Sequence, residues 1–128
     1  MRPPLANFSL SSLPMELVDL QRDYLADVTA TIETMRAHGR ALAEHGTFKS
    51  AFPALLFLAH QLKGSGGSLG FPRISDVART MSRELNLFLD DERVDRPTPE
   101  ALSRTIVALT DELAREVHSA ACPASSSS

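Results

Sequence analysis

The chain has 128 residues, 43% of them apolar and 23% charged, with a formal net charge of −3. That length supports a single core, and a mildly acidic mixture of charges lacks the basic stripe of a nucleic-acid binder. A lone cysteine, Cys122, leaves no internal disulfide or zinc site. No apolar run approaches the roughly 18 residues of a membrane span, and the start has no signal-peptide pattern, so a reduced, cytoplasmic domain is expected.

The apolar residues include 18 Leu and 16 Ala against 9 Val plus Ile, with one Tyr and no Trp. Leu and Ala favour helices where β-branched and aromatic residues favour strands, which predicts an all-α fold. Proline belongs in the first turn of a helix and disrupts its interior, so the eight prolines act as start marks. In chain order, the first 12 residues can add a short helix packing Phe8 and Leu10. A helix over about 14–45 follows, with Leu17, Leu20, Tyr24, Val28, Ile32, Met35 and Leu42 at helical spacing. Its solvated face carries Glu16, Asp19, Asp23 and Asp27. The link His45-Gly46-Thr47-Phe48-Lys49 leads to a second helix over about 51–69, and Gly70-Phe71 to a third over about 72–90, with Ile74, Val77, Ala78, Met81, Leu85 and Phe88 as its stripe. After a polar run to Pro97, a fourth helix covers 99–121 with Leu102, Ile106, Leu109, Leu113 and Val117 inward, N-capped by Thr98. Short links between amphipathic helices make antiparallel neighbours, so the four close into an up-down-up-down bundle. Residues 1–122 form the domain, and the Ser-rich 123–128 is expected to be a disordered tail.

The second helix breaks two rules. Its first half, Ala51 to Ala59, is apolar nearly all round, and its second half holds four glycines within residues 64–70. Each interior glycine costs roughly 1 kcal/mol relative to alanine, and such local rules are broken where function demands it. Helical geometry puts Leu55, Leu58 or Ala59, Leu62, Gly66 and Leu69 on one face. Leu56, Phe57, His60, Lys63, Gly64 and Gly67 fall on another. His60 therefore points outward with Lys63 one turn on. Gly64 and Gly67 leave bare backbone beside its ring, and Leu56 and Phe57 form an apolar rim suited to docking. Gly66 and Gly70 read as packing glycines, with Gly70 also a helix stop.

The run His60-x-Leu62-Lys63-Gly64-x-x-Gly67-x-Leu69-Gly70 resembles the signature of histidine-containing phosphotransfer (HPt) domains of two-component phosphorelays. The resemblance implies an antiparallel four-helix bundle whose exposed His60 accepts a phosphoryl group and passes it to an aspartate of a receiver domain. An imidazole ordinarily titrates at about 6.5, so its neutral, nucleophilic form is available near neutral pH. Phosphoryl transfer asks mainly for positioning and charge neutralisation, and Lys63 can supply the charge. The resemblance also implies that Mg²⁺ and its acid cluster belong to the partner, a receiver of a response regulator or hybrid sensor kinase, with no cofactor on this chain. A monomer without autokinase activity, nucleic-acid binding or membrane attachment is expected. Two positions depart from the family pattern: Phe71-Pro72 where a small residue is usual after the last glycine, and Ser82 where the next helix often carries an acid or amide. Counting from the turn at Gly70 places Ser82, Arg83 and Asn86, and on the first helix Arg36 and His38, as candidates for contact with the phosphate.

Other readings fit less well. A phosphate-binding P-loop needs its lysine after the glycines and a preceding strand; here Lys63 comes first. A histidine-kinase dimerisation domain has an acid directly after the histidine, where this chain has Gln61. The remaining alternative is a non-catalytic helical adaptor that binds a receiver or kinase with His60 inert. His38, His45 and His118 have no motif around them and read as surface residues.

Overall fold

A computed structural model of the chain describes residues 13–44, 46–90 and 97–121. The proposed N-terminal helix with Phe8 and Leu10, the serine tail and Cys122 lie outside the described residues. Four helices form: α1 (Leu13–Ala41), α2 (Phe48–Ser68), α3 (Pro72–Phe88) and α4 (Pro99–Ala121), with no strand among the described residues. Each helix packs on the next and α4 closes back on α1, while the diagonal pairs stay apart. This is the antiparallel up-down bundle that the periodicity predicts. Met35, Leu55, Met81, Leu85, Ile106 and Leu113 are fully buried along its axis, each contributing roughly 1.5–3 kcal/mol by leaving water.

The helix ends differ from the predicted ones for local reasons. α1 stops at Ala41 rather than near 45 because the Thr47 hydroxyl donates to the Ala41 carbonyl at 2.7 Å, and Gly46 turns the chain at φ +86°. α2 begins at Phe48, ahead of the predicted 51, because the Phe48 ring is anchored on Phe52 and Phe88 with centroids 5.4 and 5.3 Å away. Pro53 accordingly lies inside α2 rather than at its start. α4 runs from Pro99 as expected, with the Thr98 hydroxyl accepting the Ala101 N–H at 3.1 Å.

Between α2 and α3 the chain reverses through a Schellman motif. Gly70 takes φ +90°, its N–H donates to the Gly67 carbonyl, and the Phe71 N–H donates to the Gly66 carbonyl at 2.7 Å. Phe71, one of the departures from the family pattern, stacks on Tyr24 at 5.7 Å, and Pro72 opens α3 at a position where its missing N–H costs nothing. At Gly66 the two helices nearly touch: a methyl there would stand 3.0 Å from the Ser75 nitrogen. The Ser75 hydroxyl donates to the Lys63 carbonyl at 2.6 Å. The seam between α1 and α4 is built the same way. A methyl on Gly39 would lie 3.2 Å from Ile106 and Val107, and the Ser103 hydroxyl donates to the Gly39 carbonyl at 2.7 Å. Among the described residues no helix is long and apolar enough to cross a membrane.

Candidate functional site around His60

The inward face of α2 is set by Ala51, Phe52, Leu55, Ala59, Leu62 and Gly66, all buried. His60 follows Ala59 by 100° of helical rotation, which carries its imidazole to the outer surface, where it is exposed. Lys63, three residues on, is half-buried, and a lysine so placed can cover its stem while keeping its ammonium in water. Helical side chains lean toward the N-terminus of their helix, so Lys63 leans toward His60. On the other side of the ring Leu56 packs on the core and Phe57 stands 61% exposed. One isolated exposed phenylalanine is unremarkable, but this one shares its surface with the histidine.

The glycines separate cleanly by what surrounds them. A methyl on Gly64 would meet no atom within 4 Å, and one on Gly67 would make only an ordinary 3.7 Å contact with the Ser75 hydroxyl. Neither is there for close packing. Gly66 is, whereas Gly70, exposed at the turn, is required by its left-handed backbone at φ +90°. The surface beside His60 is thus low on one flank because side chains are missing there, not because the helix is distorted.

Contacts across the α2–α3 groove fix its register. Lys63 faces Ser75, and Phe52 faces Phe88 at 5.9 Å, so residues 78–80 lie level with His60. That is nearer the turn than counting from Gly70 suggests, because the Schellman reversal already lays the first turn of α3 beside the last turn of α2. Ser82 sits about one turn below, half-buried, in the direction His60 leans. Arg83 is exposed one turn beyond Arg79, and Asn86 is committed locally, its amide donating to the Ser82 carbonyl at 2.9 Å. Arg79, which the sequence reading did not single out, lies level with His60 on the same outward face. The signal for it was its place one turn after Ser75, a serine that only the structure shows bonding to α2.

α1 contributes differently from the expectation. Tyr24 shares a 2.8 Å hydrogen bond with Ser65, and the Gln21 amide donates to the Leu69 carbonyl at 2.8 Å, which puts residues near 30 opposite His60. Arg36 and His38 are therefore more than a turn away. Arg36 also belongs to the other seam, donating to Glu33 at 2.8 Å and to Asp111 on α4 at 2.9 Å. The Asp111 hydrogen bond holds its guanidinium even more firmly protonated than usual. Burial behind the motif pushes the Tyr24 phenol above its ordinary range, opposed in part by the Ser65 hydrogen bond.

Chemically, the site is an exposed imidazole with a lysine one turn away and open space over Gly64. The cleft between α1 and α4 near Phe71, lined by Val18, Leu25 and Val117, lies elsewhere on the bundle and does not include His60. Among the described residues no three His, Cys, Asp or Glu side chains gather as metal ligands. Compared with known protein families, the chain matches the Hpt domain over residues 19–119, most of its length. Searches of curated proteins and of solved structures gave no match.

Proposed function

The chain belongs to the Hpt domain family, whose members serve histidine phosphotransfer in two-component phosphorelays and meet receiver domains, and we propose that it relays phosphate through His60. The observation that carries this reading is the exposed imidazole of His60 with Lys63 one turn on and empty space over Gly64. A receiver docks on the α2–α3 face, its apolar contacts falling on Leu56 and Phe57. The lone pair of an unprotonated ring nitrogen forms the N–P bond while the acyl O–P bond of the receiver's aspartyl phosphate breaks. The bonding pair returns to the aspartate as carboxylate, and the other ring nitrogen keeps its proton. The reverse step returns the phosphoryl group to the same or another receiver. Lys63 offsets the dianion on the ring, while Mg²⁺ held by the receiver supplies charge neutralisation on that side. His60 needs no activating base, because the loose transition state depends on positioning and charge.

In this reading the chain has no kinase activity of its own and takes phosphate from a partner alone. The test is transfer from a receiver charged with a small acyl phosphate. Wild-type chain should acquire a label that is labile in acid and stable in alkali, whereas His60→Gln, with unchanged helicity and melting temperature, should acquire none. Labelling of His60→Gln would move the acceptor elsewhere. Absence of label on the wild type from several receivers would leave the adaptor reading.

A further inference from the structure

We propose that Arg79 is a second cation for the phosphoryl group on His60, held in reserve by Asp76 and released to the phosphate when it arrives. The inference rests on the His60 relay and adds a residue to it. Its geometry comes from the α2–α3 groove. Ser75 is tied to the Lys63 carbonyl at 2.6 Å, and the approach at Gly66 brings the backbones together as closely as helices allow. Arg79 follows Ser75 by four residues, one turn along α3, and His60 precedes Lys63 by three, one turn back along α2. Antiparallel helices carry the two steps in the same direction, so the backbones at Arg79 and His60 arrive at one level. The guanidinium leans toward Asp76 and the imidazole toward Leu56, so the long Arg79 side chain must swing away from Asp76 to reach a phosphate on the ring. The same rotation that lifts His60 out of the groove relative to Lys63 lifts Arg79 out relative to Ser75, and both point from one surface.

Arg79 is engaged only loosely. Its guanidinium donates to Asp76 on its own helix at 2.7 Å, with 58% and 66% of the two side chains exposed. An exposed pair within one helix binds weakly, and a phosphate dianion offers a guanidinium a two-pronged, charge-assisted partner that a single surface carboxylate does not match. The other arginines on α3 are placed differently. Arg73 turns toward Glu116 of α4 at 3.7 Å, and Arg83 lies one further turn along α3, beyond the level of His60. Asp76 is then the competitor: it holds Arg79 in the unphosphorylated chain and gives it up to a stronger anion.

The pairing with a competing acid makes a prediction that a structural role would not. Four chains are charged by the same receiver aspartyl phosphate, and the equilibrium partition of label between receiver and His60 is read after acid and alkali treatment. Arg79→Gln should shift the partition toward the receiver by about three- to tenfold, the effect of losing one exposed charged hydrogen bond. Arg79→Lys should recover most of that shift. Asp76→Asn should shift the partition the opposite way, toward His60, because the guanidinium no longer has a rival partner. If Arg79→Gln partitions like wild type, or if Asp76→Asn moves in the same direction as Arg79→Gln, the proposal is overturned while the relay stands. If the wild type takes no label at all, the relay itself falls, and this role with it.

Discussion

The two tight seams of the bundle use one device with different consequences. Between α1 and α4, Gly39 lets the helices close and Ser103 donates to the Gly39 carbonyl. Between α2 and α3, Gly66 does the same and Ser75 donates to the Lys63 carbonyl. In both, a side chain is removed where the backbones approach, and a serine hydroxyl satisfies itself on the facing helix without disturbing the ladder. The α1–α4 seam is then covered outside by Arg36 with Glu33 and Asp111. The α2–α3 seam is left open beside His60, since Gly64 and Gly67 add two more positions without side chains on the solvent side. Packing alone accounts for one glycine at each seam. The surplus on α2 leaves bare backbone on the solvent side beside His60, which is the feature the proposed docking of a receiver uses.

The surplus glycines give the largest expected effect. Gly64→Leu adds a side chain where no atom lies within 4 Å, so the fold should keep its melting temperature or gain from replacing a helical glycine, by about 1 kcal/mol. Phosphoryl transfer to His60 should nevertheless fall by more than tenfold, because the new side chain stands one turn from the imidazole and holds the partner away. Circular dichroism and transfer from one charged receiver separate the two outcomes. Normal transfer by Gly64→Leu would remove the distinction between the seams, leaving Gly64 as a neutral surface position.

Alanine at the two buried glycines sharpens the comparison within packing itself. At Gly66 the added methyl meets the Ser75 backbone nitrogen at 3.0 Å, and α3 must move as a body, pulling Ser75 from the Lys63 carbonyl. Gly66→Ala should cost about 2–3 kcal/mol and lower the melting temperature by roughly 10 °C. At Gly39 the methyl crowds the side-chain methyls of Ile106 and Val107, at 3.2 Å, while the Val107 backbone nitrogen is at an ordinary 3.7 Å. Those methyls can give a few tenths of an ångström, and the gain in helix propensity offsets part of the crowding, so Gly39→Ala should cost no more than about 1 kcal/mol. Thermal melts of the two variants under one buffer check the order; equal losses would mean that α3 yields as easily as a side chain.

Much of this was legible in the sequence, and the part that was not has a common cause. Periodicity reports which face of a helix is buried, so the four helices, the outward His60 and the inward Gly66 follow from spacing alone. The difference between Gly64 and Gly66 could be suspected from their helical positions. Register is another matter, since it depends on how a turn closes. The Schellman reversal at Gly70 shifts α3 by about a turn relative to a count of residues, which replaces the level of Ser82 with that of Arg79. On α1 the shift is larger, because Gln21 and Tyr24 lock to Leu69 and Ser65 through contacts 48 and 41 residues apart. Arg36 is diverted to Asp111, 75 residues away. Long-range hydrogen bonds of this kind leave no local pattern.

The α1–α2 contact offers the smallest test, and its size depends on pH. Tyr24 pins α1 to the glycine half of α2 through Ser65 and stacks on Phe71. Tyr24→Phe keeps the ring and its stacking and loses one half-buried hydrogen bond, a cost of about 0.5–1 kcal/mol near neutral pH. Burial raises the phenol pKa in the folded chain above its ordinary 10.0. Just above pH 10 the unfolded chain has therefore begun to lose the Tyr24 proton while the folded chain still holds it. Raising the pH then favours unfolding of the wild type, and this contribution drains away as pH climbs from 10 through the raised folded value. Phenylalanine has no proton to lose. The stability advantage of wild type over Tyr24→Phe, measured by urea unfolding, should thus be present at pH 8 and shrink at pH 10.5. An advantage that stays constant between the two would mean that the α1–α2 seam admits water at Tyr24 and is looser than the two glycine seams by more than its geometry indicates.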